Sequence, residues 1–242
     1  MKQSTFTIIA HKQLTASVFE MRLAGDTTGI ACGQFINIQL AGKYLRRPIS
    51  VCDVDETAVT IVYKAVGSGT EQMSRMQVGE TLDVLTELGN GYELSKSGNA
   101  PLLIGGGVGV PPLYLLAKRL IAEGKIVSVI LGFNTKDEIF YENEFAALGA
   151  NVTVTTVDGS YGIKGFVTDA MKEINYSYIY TCGPEPMLKA VYTAASTSGQ
   201  FSFEERMGCG FGACMGCSCK TVTGYKRICK EGPVLEKEEI LW

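Results

Sequence analysis

The sequence predicts a multi-domain α+β chain: an antiparallel β-barrel, a parallel α/β domain and a small C-terminal cysteine module. Three observations predict it. Residues 1–97 hold short segments rich in β-branched and aromatic residues, separated by turn-like clusters. From residue 98 onward, apolar strand-like segments alternate with helix-like patterns. Residues 201–242 then carry five of the eight cysteines, which marks a third region.

The first region is expected to form a small barrel or sandwich, because short strands recur there at regular spacing. A short helix, at about residues 70–76, interrupts them. The expected strands cover residues 5–10, 17–23, 34–40, 49–54 and 58–65.

The second region is expected to form a parallel sheet with helices on both faces, because β and α patterns alternate. In residues 113–121 the apolar residues recur at i, i+3, i+4, i+7 and i+8, which is one helix face, and Gly124 ends that helix. The expected strands cover residues 102–104, 126–131, 152–157 and 178–181. The further helices cover residues 141–147, 166–174 and 184–195.

Composition excludes two classes of partner. The net charge is −3 and no basic stripe appears, which argues against nucleic-acid binding. The longest apolar stretch, residues 101–117, is interrupted by glycines and prolines, so we expect no membrane span. The first residues lack the apolar segment of a secretory signal, and a cytoplasmic location is therefore expected.

Four cysteines carry the strongest chemical signal. Cys209, Cys214 and Cys217 follow the spacing C-x4-C-x2-C, and Cys229 comes after a short hairpin-like stretch. This is the plant-type pattern of a [2Fe–2S] cluster. The alternatives are a zinc site, which usually pairs C-x-x-C with a second such pair or with histidines, and a disulfide knot. The only histidine is His11, far away in the sequence.

Cys219 lies two residues beyond Cys217, and spacing alone does not exclude it as a ligand. We take it as a spare thiol beside the four ligands. Cys32, Cys52 and Cys182 are scattered along the chain and are interpreted as buried free thiols.

Two motifs of the α/β region suggest a nucleotide site. The segment Gly105-Gly-Gly-Val-Gly109 lies between a predicted strand and a helix, whose N-terminus would offer N–H groups to a phosphate. The alternative is a tight βα connection. The segment Cys182-Gly-Pro-Glu-Pro-Met187 follows the last predicted strand, at the edge where open α/β sheets bind ligands, although a structural turn explains it equally well.

Two motifs of the barrel region suggest a second nucleotide. Arg46-Arg47-Pro-Ile-Ser50 places two cations before a strand, which suits a diphosphate. Gly67-Ser-Gly-Thr70 precedes the short helix and resembles an anion-binding turn. Each alone is compatible with a surface turn, but two phosphate-type sites in one small barrel favour one extended dinucleotide.

The order of these motifs resembles the ferredoxin–NADP reductase superfamily. The C-terminal stretches EERMGCGFGACMGC and YKRICKEGPV are similar to those of the electron transfer subunits of dihydroorotate dehydrogenase B. The resemblance covers essentially the whole chain. Ile49 stands where the superfamily has a tyrosine, and the loop Leu88-Gly-Asn-Gly91 matches a family loop to which the sequence assigns no role.

The resemblance implies an FAD-binding barrel over residues 1–97, an NAD-binding domain over 98–200 and a [2Fe–2S] module over 201–242. The implied FAD residues are Arg47, Pro48, Ile49, Ser50, Val62, Tyr63, Lys64, Gly69 and Thr70. The implied NAD residues are Gly105, Gly106, Gly107, Gly109, Cys182, Gly183 and Pro184. The implied cluster ligands are Cys209, Cys214, Cys217 and Cys229.

The resemblance also implies a function. Electrons from the FMN of a separate dihydroorotate dehydrogenase catalytic subunit would pass through the cluster and FAD to NAD⁺, in pyrimidine biosynthesis. The assembly would be a heterotetramer with two copies of each subunit, and no catalytic residue is expected on this chain. The alternatives are another FAD and [2Fe–2S] NAD(P)H oxidoreductase subunit of the superfamily, and a non-enzymatic redox sensor or zinc-bound module.

The sequence also suggests roles for Asp137 and for the C-terminal residues 240–242. Asp137 follows the second α/β strand with no arginine nearby, so it is a candidate to bond the ribose 2′-hydroxyl of NAD rather than NADP. The C-terminal Ile-Leu-Trp242 is expected either to mark an interface or to pack on its own domain.

Overall fold

The barrel region forms a closed antiparallel barrel of six strands in the order β1-β2-β5-β4-β3-β6. The computed structural model describes all 242 residues. The elements of the barrel are β1 (Lys2–Gln13), β2 (Val18–Ala24), β3 (Phe35–Gln39), β4 (Arg47–Val54), β5 (Ala58–Lys64), helix α1 (Ser68–Met73) and β6 (Thr81–Leu88). This confirms the predicted barrel. The strand β6, which the sequence analysis did not include, closes it between β3 and β1.

Side-chain alternation explains why these segments form strands around one core. Phe6, Ile8, Met21 and Leu23 are fully buried inside the barrel, while their sequence neighbours face outward. In β6 the same alternation places Leu82 and Val84 inward, but Asp83 and Glu87 lower its apolar content. A strand with this composition is harder to recognise from sequence than the β-branched strands around it.

The α/β region forms a parallel sheet, as predicted. Its elements are β7 (Pro101–Gly106), α2 (Pro112–Ala122), β8 (Ser128–Phe133), α3 (Glu142–Ala147), β9 (Asn151–Thr156), β10 (Ile163–Lys164), α4 (Val167–Met171), β11 (Tyr178–Cys182), α5 (Glu185–Ala194) and β12 (Gly199–Ser202). The strand order is β10-β9-β8-β7-β11-β12, with all neighbours parallel. The longest helix has 11 residues, and none has the length and apolar character that crossing a membrane requires.

The C-terminal region returns to this sheet. A hairpin of β13 (Ser218–Thr221) and β14 (Gly224–Arg227) follows the cysteine loop, and β15 (Val234–Glu236) then pairs antiparallel with β12 as the seventh strand. The domain boundary at residues 200/201 stays a prediction, because β12 runs through it and β15 shares its sheet.

The barrel and the α/β region share one continuous apolar core. Several polar contacts cross between them, and two of these involve α2 and the residue before α3. Lys118 on α2 forms an ion pair with Asp53 on β4 at 2.9 Å, and the Tyr141 hydroxyl donates to a Glu20 carboxylate oxygen at 2.7 Å. Tyr141 has a left-handed φ of 68°, which a bulky residue rarely adopts. These contacts fix the orientation of the α/β region relative to the barrel.

Candidate functional site

The two motifs of the barrel, residues 46–50 with the arginines and residues 67–70 with the glycines, lie against each other. Arg47 begins β4, and Gly69 lies in the first turn of α1. A Cβ atom at Gly69 would lie 2.0 Å from Nε of Arg47, so the guanidinium fills the space that a side chain would need. Arg47 donates to the carbonyl of Leu45 at 2.5 Å and has no carboxylate within ion-pair distance. Its charge is therefore available to an anion.

The neighbouring arginine has a different role. Arg46 pairs with the Asp83 carboxylate at 2.6 Å and donates to the backbone carbonyls of Asn37 and Asp83 at 3.2 and 3.1 Å. It ties β4 to β3 and β6. The two adjacent cations, which the sequence analysis treated as a pair, thus separate into one structural arginine and one free arginine.

Thr70 shapes the turn before α1. Its hydroxyl oxygen accepts from the backbone N–H groups of Val66 and Gly67 at 3.0 and 3.3 Å, and the hydroxyl lies 3.1 Å from the carbonyl of Gly67. These contacts hold the turn in place beside Arg47. In the structure the side chain of Thr70 is therefore occupied by its own loop.

An open backbone edge lies beside this turn. The ladder between β4 and β5 begins at the pair Val51↔Ile61, so residues 48–50 pair only with β3 and residues 62–64 pair only with β2. Backbone groups that face such a gap need partners from outside the sheet. The FAD residues implied on β4 (Pro48, Ile49 and Ser50) and on β5 (Val62 and Lys64) line the gap.

Tyr63, another of the implied FAD residues, has a buried side chain, as does Val62. Its ring is 2% exposed and stacks on Phe19, and its hydroxyl lies 2.9 Å from Nε2 of His11. Nδ1 of His11 lies 2.9 Å from the carbonyl of Met76, just beyond α1. Burial raises the pKa of Tyr63, so the phenol stays neutral. The side chain thus belongs to a buried cluster, and only the backbone of Tyr63 reaches the open edge.

In the glycine-rich loop of the α/β region, residues 105–109, other parts of the protein occupy the space beside most of the glycines. A Cβ atom at Gly109 would lie 2.2 Å from the carbonyl oxygen of Cys182, and one at Gly106 would lie 2.5 Å from Sδ of Met187. A Cβ atom at Gly105 would lie 2.8 Å from Cα of Val110. Only Gly107 faces open space, and it has a left-handed φ of 52°. The two nucleotide-type motifs are thus brought together, since Gly105 also pairs with Cys182 across β7 and β11.

The structure reduces the number of N–H groups that the N-terminus of α2 can offer to a phosphate. Pro111 and Pro112 have no N–H. The N–H groups of Val110 and Leu113 are already bonded to the carbonyls of Gly107 and Val110, both at 3.1 Å. A nucleotide at this edge must therefore be held mainly by other groups.

The Cys182 thiol is not a nucleophile in this structure. Part of the residue reaches the surface, but its sulfur is packed inside, and burial raises the thiol pKa to about 12 despite a hydrogen bond with Ser202. The thiol therefore stays protonated at neutral pH. Asp137 is exposed and lies in the short turn after β8, where a ligand at the sheet edge can reach it.

The four predicted cluster ligands lie together in two pairs. Cys217 and Cys229 are each 2% exposed, and the N–H of Cys229 lies 3.4 Å from Sγ of Cys217. Cys209 is half-buried and Cys214, five residues further along the loop, is exposed. One pair therefore lies inside the module, while the other faces the surface.

Backbone N–H groups favour the thiolate form of Cys209. Burial alone would raise its pKa, but N–H groups of Phe211, Cys214 and Ala213 outweigh burial and lower the pKa to about 6. The Ala213 N–H lies 3.2 Å from the sulfur. Burial and the neighbouring Cys217 raise the pKa of Cys229 to about 12. Thiolate sulfur is the form that binds iron.

Two glycines and one arginine give the cysteine loop its shape. Gly210 and Gly212 have left-handed φ values of 77° and 93°. Arg227 donates to the carbonyl of Gly212 and pairs with Glu231, which closes the turn that carries Cys229.

The four thiols match the ligand set of a [2Fe–2S] cluster, in which two irons share four cysteine thiolates. A structural zinc ion usually takes a second C-x-x-C pair or histidines, and the only histidine, His11, lies in the barrel beside Tyr63. Cys219 lies on β13 opposite Lys226, and burial raises its thiol pKa. Its assignment as a spare thiol stays a prediction.

Two asparagines on the barrel hold the cysteine module, and the sequence analysis did not identify this role. Nδ2 of Asn37, on β3, donates to the carbonyl of Cys209 at 3.3 Å. The side chain of Asn90 donates to the carbonyls of Glu231 and Val234 and accepts from the N–H of Val234, at 2.7–3.2 Å. Asn90 belongs to the family loop at residues 88–91, which now has a structural role. For Asn37, the available signal was a polar residue within the apolar run Phe-Ile-Asn-Ile.

The C-terminal tryptophan packs on its own domain. Trp242 contacts Tyr192 and Phe203, with ring centroids 6.1 and 5.6 Å apart. Of the two alternatives for this residue, the structure favours internal packing.

Comparison with known proteins gives matches over both nucleotide and cluster regions. The model of the iron-sulfur cluster binding domain of dihydroorotate dehydrogenase B matches residues 204–241, and the model of the oxidoreductase NAD-binding domain matches residues 103–193. The chain is 44% identical, over its full length and 99% of the relative, to the dihydroorotate dehydrogenase B (NAD(+)) electron transfer subunit of Geobacillus sp. (strain WCH70). The corresponding subunit of Fusobacterium nucleatum is 44% identical, with 97% of this chain and 96% of the relative covered.

Solved structures give a consistent picture. A chain of an NADH-dependent reduced ferredoxin-NADP oxidoreductase is 31% identical and superposes with a TM-score of 0.90, covering 99% of this chain and 90% of that one. A ferredoxin NADP⁺ reductase from Neisseria gonorrhoeae superposes with a TM-score of 0.70 at 16% identity, covering 80% of this chain and 90% of that one. At this low identity, the match to the Neisseria gonorrhoeae reductase shows only that the two folds are similar.

Proposed function

The chain belongs to the family of dihydroorotate dehydrogenase B electron transfer subunits, and from this premise we propose the following function. It passes electrons from the FMN of a dihydroorotate dehydrogenase catalytic subunit, through a [2Fe–2S] cluster and FAD, to NAD⁺. The reaction belongs to pyrimidine biosynthesis. We further propose a cytoplasmic heterotetramer with two copies of each subunit.

One observation carries this proposal. The cysteine loop contacts the barrel at β3, where Asn37 donates to the backbone carbonyl of Cys209, and β3 pairs directly with the Arg47–Ser50 part of β4. A cluster and a flavin held by these two segments would be neighbours. Nicotinamides exchange two electrons as hydride and a [2Fe–2S] cluster exchanges one, and a bound flavin supplies the chemistry that connects them.

The residues of the chain are proposed to bind and orient, and not to act as acids or bases. Arg47 would neutralise the FAD diphosphate beside Gly69, because its guanidinium has no carboxylate partner. The open edge between β4 and β5 would offer backbone groups to the flavin ring. The nicotinamide nucleotide would lie at the edge formed by residues 105–109 and 182–184, with Gly107 facing it.

Asp137 is proposed to bond the ribose 2′-hydroxyl of NAD. The carboxylate is exposed at the sheet edge after β8, and no arginine lies in that turn to attract a 2′-phosphate. An Asp137→Ala variant with unchanged NADH affinity would remove this assignment.

The function is tested on the full chain, purified without oxygen and co-expressed with an FMN-bearing catalytic subunit. We expect FAD, iron and sulfide in the chain, and NAD⁺ reduction by dihydroorotate only in the complex. Cys229→Ser should lose the cluster and this activity, whereas the matched variant Cys219→Ser should retain both. A parent chain that holds neither flavin nor sulfide after reconstitution would refute the proposal.

A second function of the same chemistry has one supporting observation. The NADH-dependent reduced ferredoxin-NADP oxidoreductase chain is 31% identical over 99% of this chain. The chain could therefore serve another oxidoreductase with the same three cofactors. Co-purification distinguishes the two, because only the first function requires an FMN-bearing partner that oxidises dihydroorotate.

A further inference from the structure

Asn37 is a polar residue in a place where the fold alone would select an apolar one. It lies in the middle of β3, between Ile36 and Ile38, both fully buried, and is itself 1% exposed. Its side-chain oxygen Oδ1 has no hydrogen-bond partner in the protein. Buried polar groups without partners are rare in folded proteins, and they concentrate where function requires them.

The amide nitrogen of Asn37 reaches the first cysteine of the loop. Nδ2 donates to the backbone carbonyl of Cys209 at 3.3 Å across 172 residues of sequence. The next residue, Gly210, has a left-handed φ of 77°, and a Cβ atom there would lie 2.3 Å from Nδ2. The loop therefore closes onto this one side chain, and it can do so only because position 210 is a glycine.

The backbone of Asn37 reaches the flavin motif on its other side. In the ladder between β3 and β4, Asn37 lies directly opposite Pro48. Its carbonyl also accepts from Arg46 at 3.2 Å, which holds the two strands together before Arg47. One residue thus contacts both the ligand-bearing loop and the strand expected to hold FAD.

We propose that Asn37 is a positioning residue, which fixes the cysteine loop against the flavin strand and thereby sets electron transfer between the two cofactors. This inference rests on the proposed function, since it requires both cofactors in this chain. Without the amide, the Cys209 carbonyl loses its donor on the barrel, and the loop is held to the barrel by the more distant Asn90 contacts.

The test uses the full chain loaded with FAD and cluster, in the parent and in Asn37→Leu, which removes the donor at similar volume. Each protein is mixed anaerobically with NADH. Hydride transfer reduces the flavin by two electrons, and one of these then reduces the cluster. Flavin absorbance reports the first step, and freeze-quenched EPR spectra report the second step and the geometry of the cluster.

We expect flavin reduction within twofold of the parent, cluster reduction slowed at least tenfold and altered EPR g-values in Asn37→Leu. The matched control is Thr86→Val. Thr86 is another fully buried barrel residue with an unpartnered oxygen, but it has no hydrogen bond to the cysteine loop. This control should behave like the parent in both steps and retain the same iron content.

Two outcomes would overturn the inference: cluster reduction in Asn37→Leu within twofold of the parent, or an equal loss in Thr86→Val. If Asn37→Leu does not fold, Gly210→Ala replaces it, because its Cβ pushes the loop from Asn37 and leaves the barrel sequence intact. Unchanged cluster reduction in Gly210→Ala would also overturn it. A parent chain that binds no cofactor refutes the proposed function itself, whereas a working parent with unaffected variants refutes only the role of Asn37.

Discussion

Two glycine-rich turns in this molecule have similar sequences but opposite surroundings. Residues 67–70 begin helix α1, residues 105–109 precede helix α2, and both were predicted to bind phosphate. Around residues 67–70 the space beside Gly69 is occupied by the mobile end of Arg47, a cation without a carboxylate partner. Around residues 105–109 the space beside three of the four glycines is occupied by the chain itself.

The difference shows that a position can require glycine for at least two physical reasons. At Gly69 the missing side chain leaves room for an arginine that can move toward a ligand. At Gly109 it lets two loops of the protein approach within contact distance of each other. A motif search cannot separate these cases, because both give glycine. The substitutions below separate them, in order of decreasing effect.

The largest effect is expected for Gly109→Ala, on stability. The added Cβ would meet the carbonyl of Cys182 at 2.2 Å and the Cα of Gly183 at 2.6 Å, and backbone atoms cannot rotate away. We expect a loss of about 3 kcal/mol in the free energy of unfolding, as for a severe overpacking substitution. Thermal unfolding of the purified chain measures it. An unfolding midpoint equal to that of the parent would contradict the packing explanation.

Arg47→Gln should have the next largest effect, on FAD affinity. It removes a charge-assisted hydrogen bond to the diphosphate, which is worth about 2 kcal/mol, or roughly thirtyfold in affinity. Titration of the flavin-free chain with FAD measures this loss. Arg46→Gln is the control, because Arg46 pairs with Asp83 and should affect stability rather than FAD affinity. Equal losses of FAD affinity in Arg47→Gln and Arg46→Gln would refute the assignment of FAD binding to Arg47 and of a structural role to Arg46.

Gly69→Ala should weaken FAD binding without destabilising the barrel. Its Cβ would meet only the side chain of Arg47, which can move aside. Forcing Arg47 from its rotamer costs about 1 kcal/mol, or roughly fivefold in FAD affinity. The same titration gives the affinity, and a thermal melt of the flavin-free chain gives the stability. A large drop in stability with unchanged FAD affinity would show that Gly69, like Gly109, is required for packing and not for binding.

A similarly small effect, on stability rather than on FAD affinity, is expected for Gly107→Ala. No atom lies within 4 Å of a Cβ at this position, so the only cost is the left-handed φ of 52°. That cost is about 1 kcal/mol in the free energy of unfolding. Gly107→Asn should cost less, because asparagine tolerates this conformation. Finding alanine as stable as glycine here would show that backbone conformation does not select Gly107.

The sequence was sufficient for the elements with strong periodicity or fixed spacing. The alternation of strands and helices from residue 98 predicted the parallel sheet, and the C-x4-C-x2-C spacing predicted which thiols come together. Strand β6 was not predicted, because its acidic residues reduce the β-branched and apolar signal. Strands β12 and β15 were not predicted either, since strands of four and three residues carry little periodicity.

The candidate site was predictable in its motifs but not in the roles within each motif. Arg46 and Arg47 are adjacent and chemically alike, and only the position of Asp83 decides which of them is free. Two of the N–H donors expected at the start of α2 are missing, because Pro111 and Pro112 have none.

By itself, the amino-acid sequence determined the chain's fold class, its family and the spacing of its cysteines, because composition and spacing are local properties of a chain. The tertiary structure alone decided which glycines serve packing, which arginine is available, and how Asn37 and Asn90 hold the cysteine module. The Asn37–Cys209 contact joins residues 172 positions apart. No local pattern records such a contact, since it exists only when the strands have paired and the C-terminal segment has folded back onto the barrel.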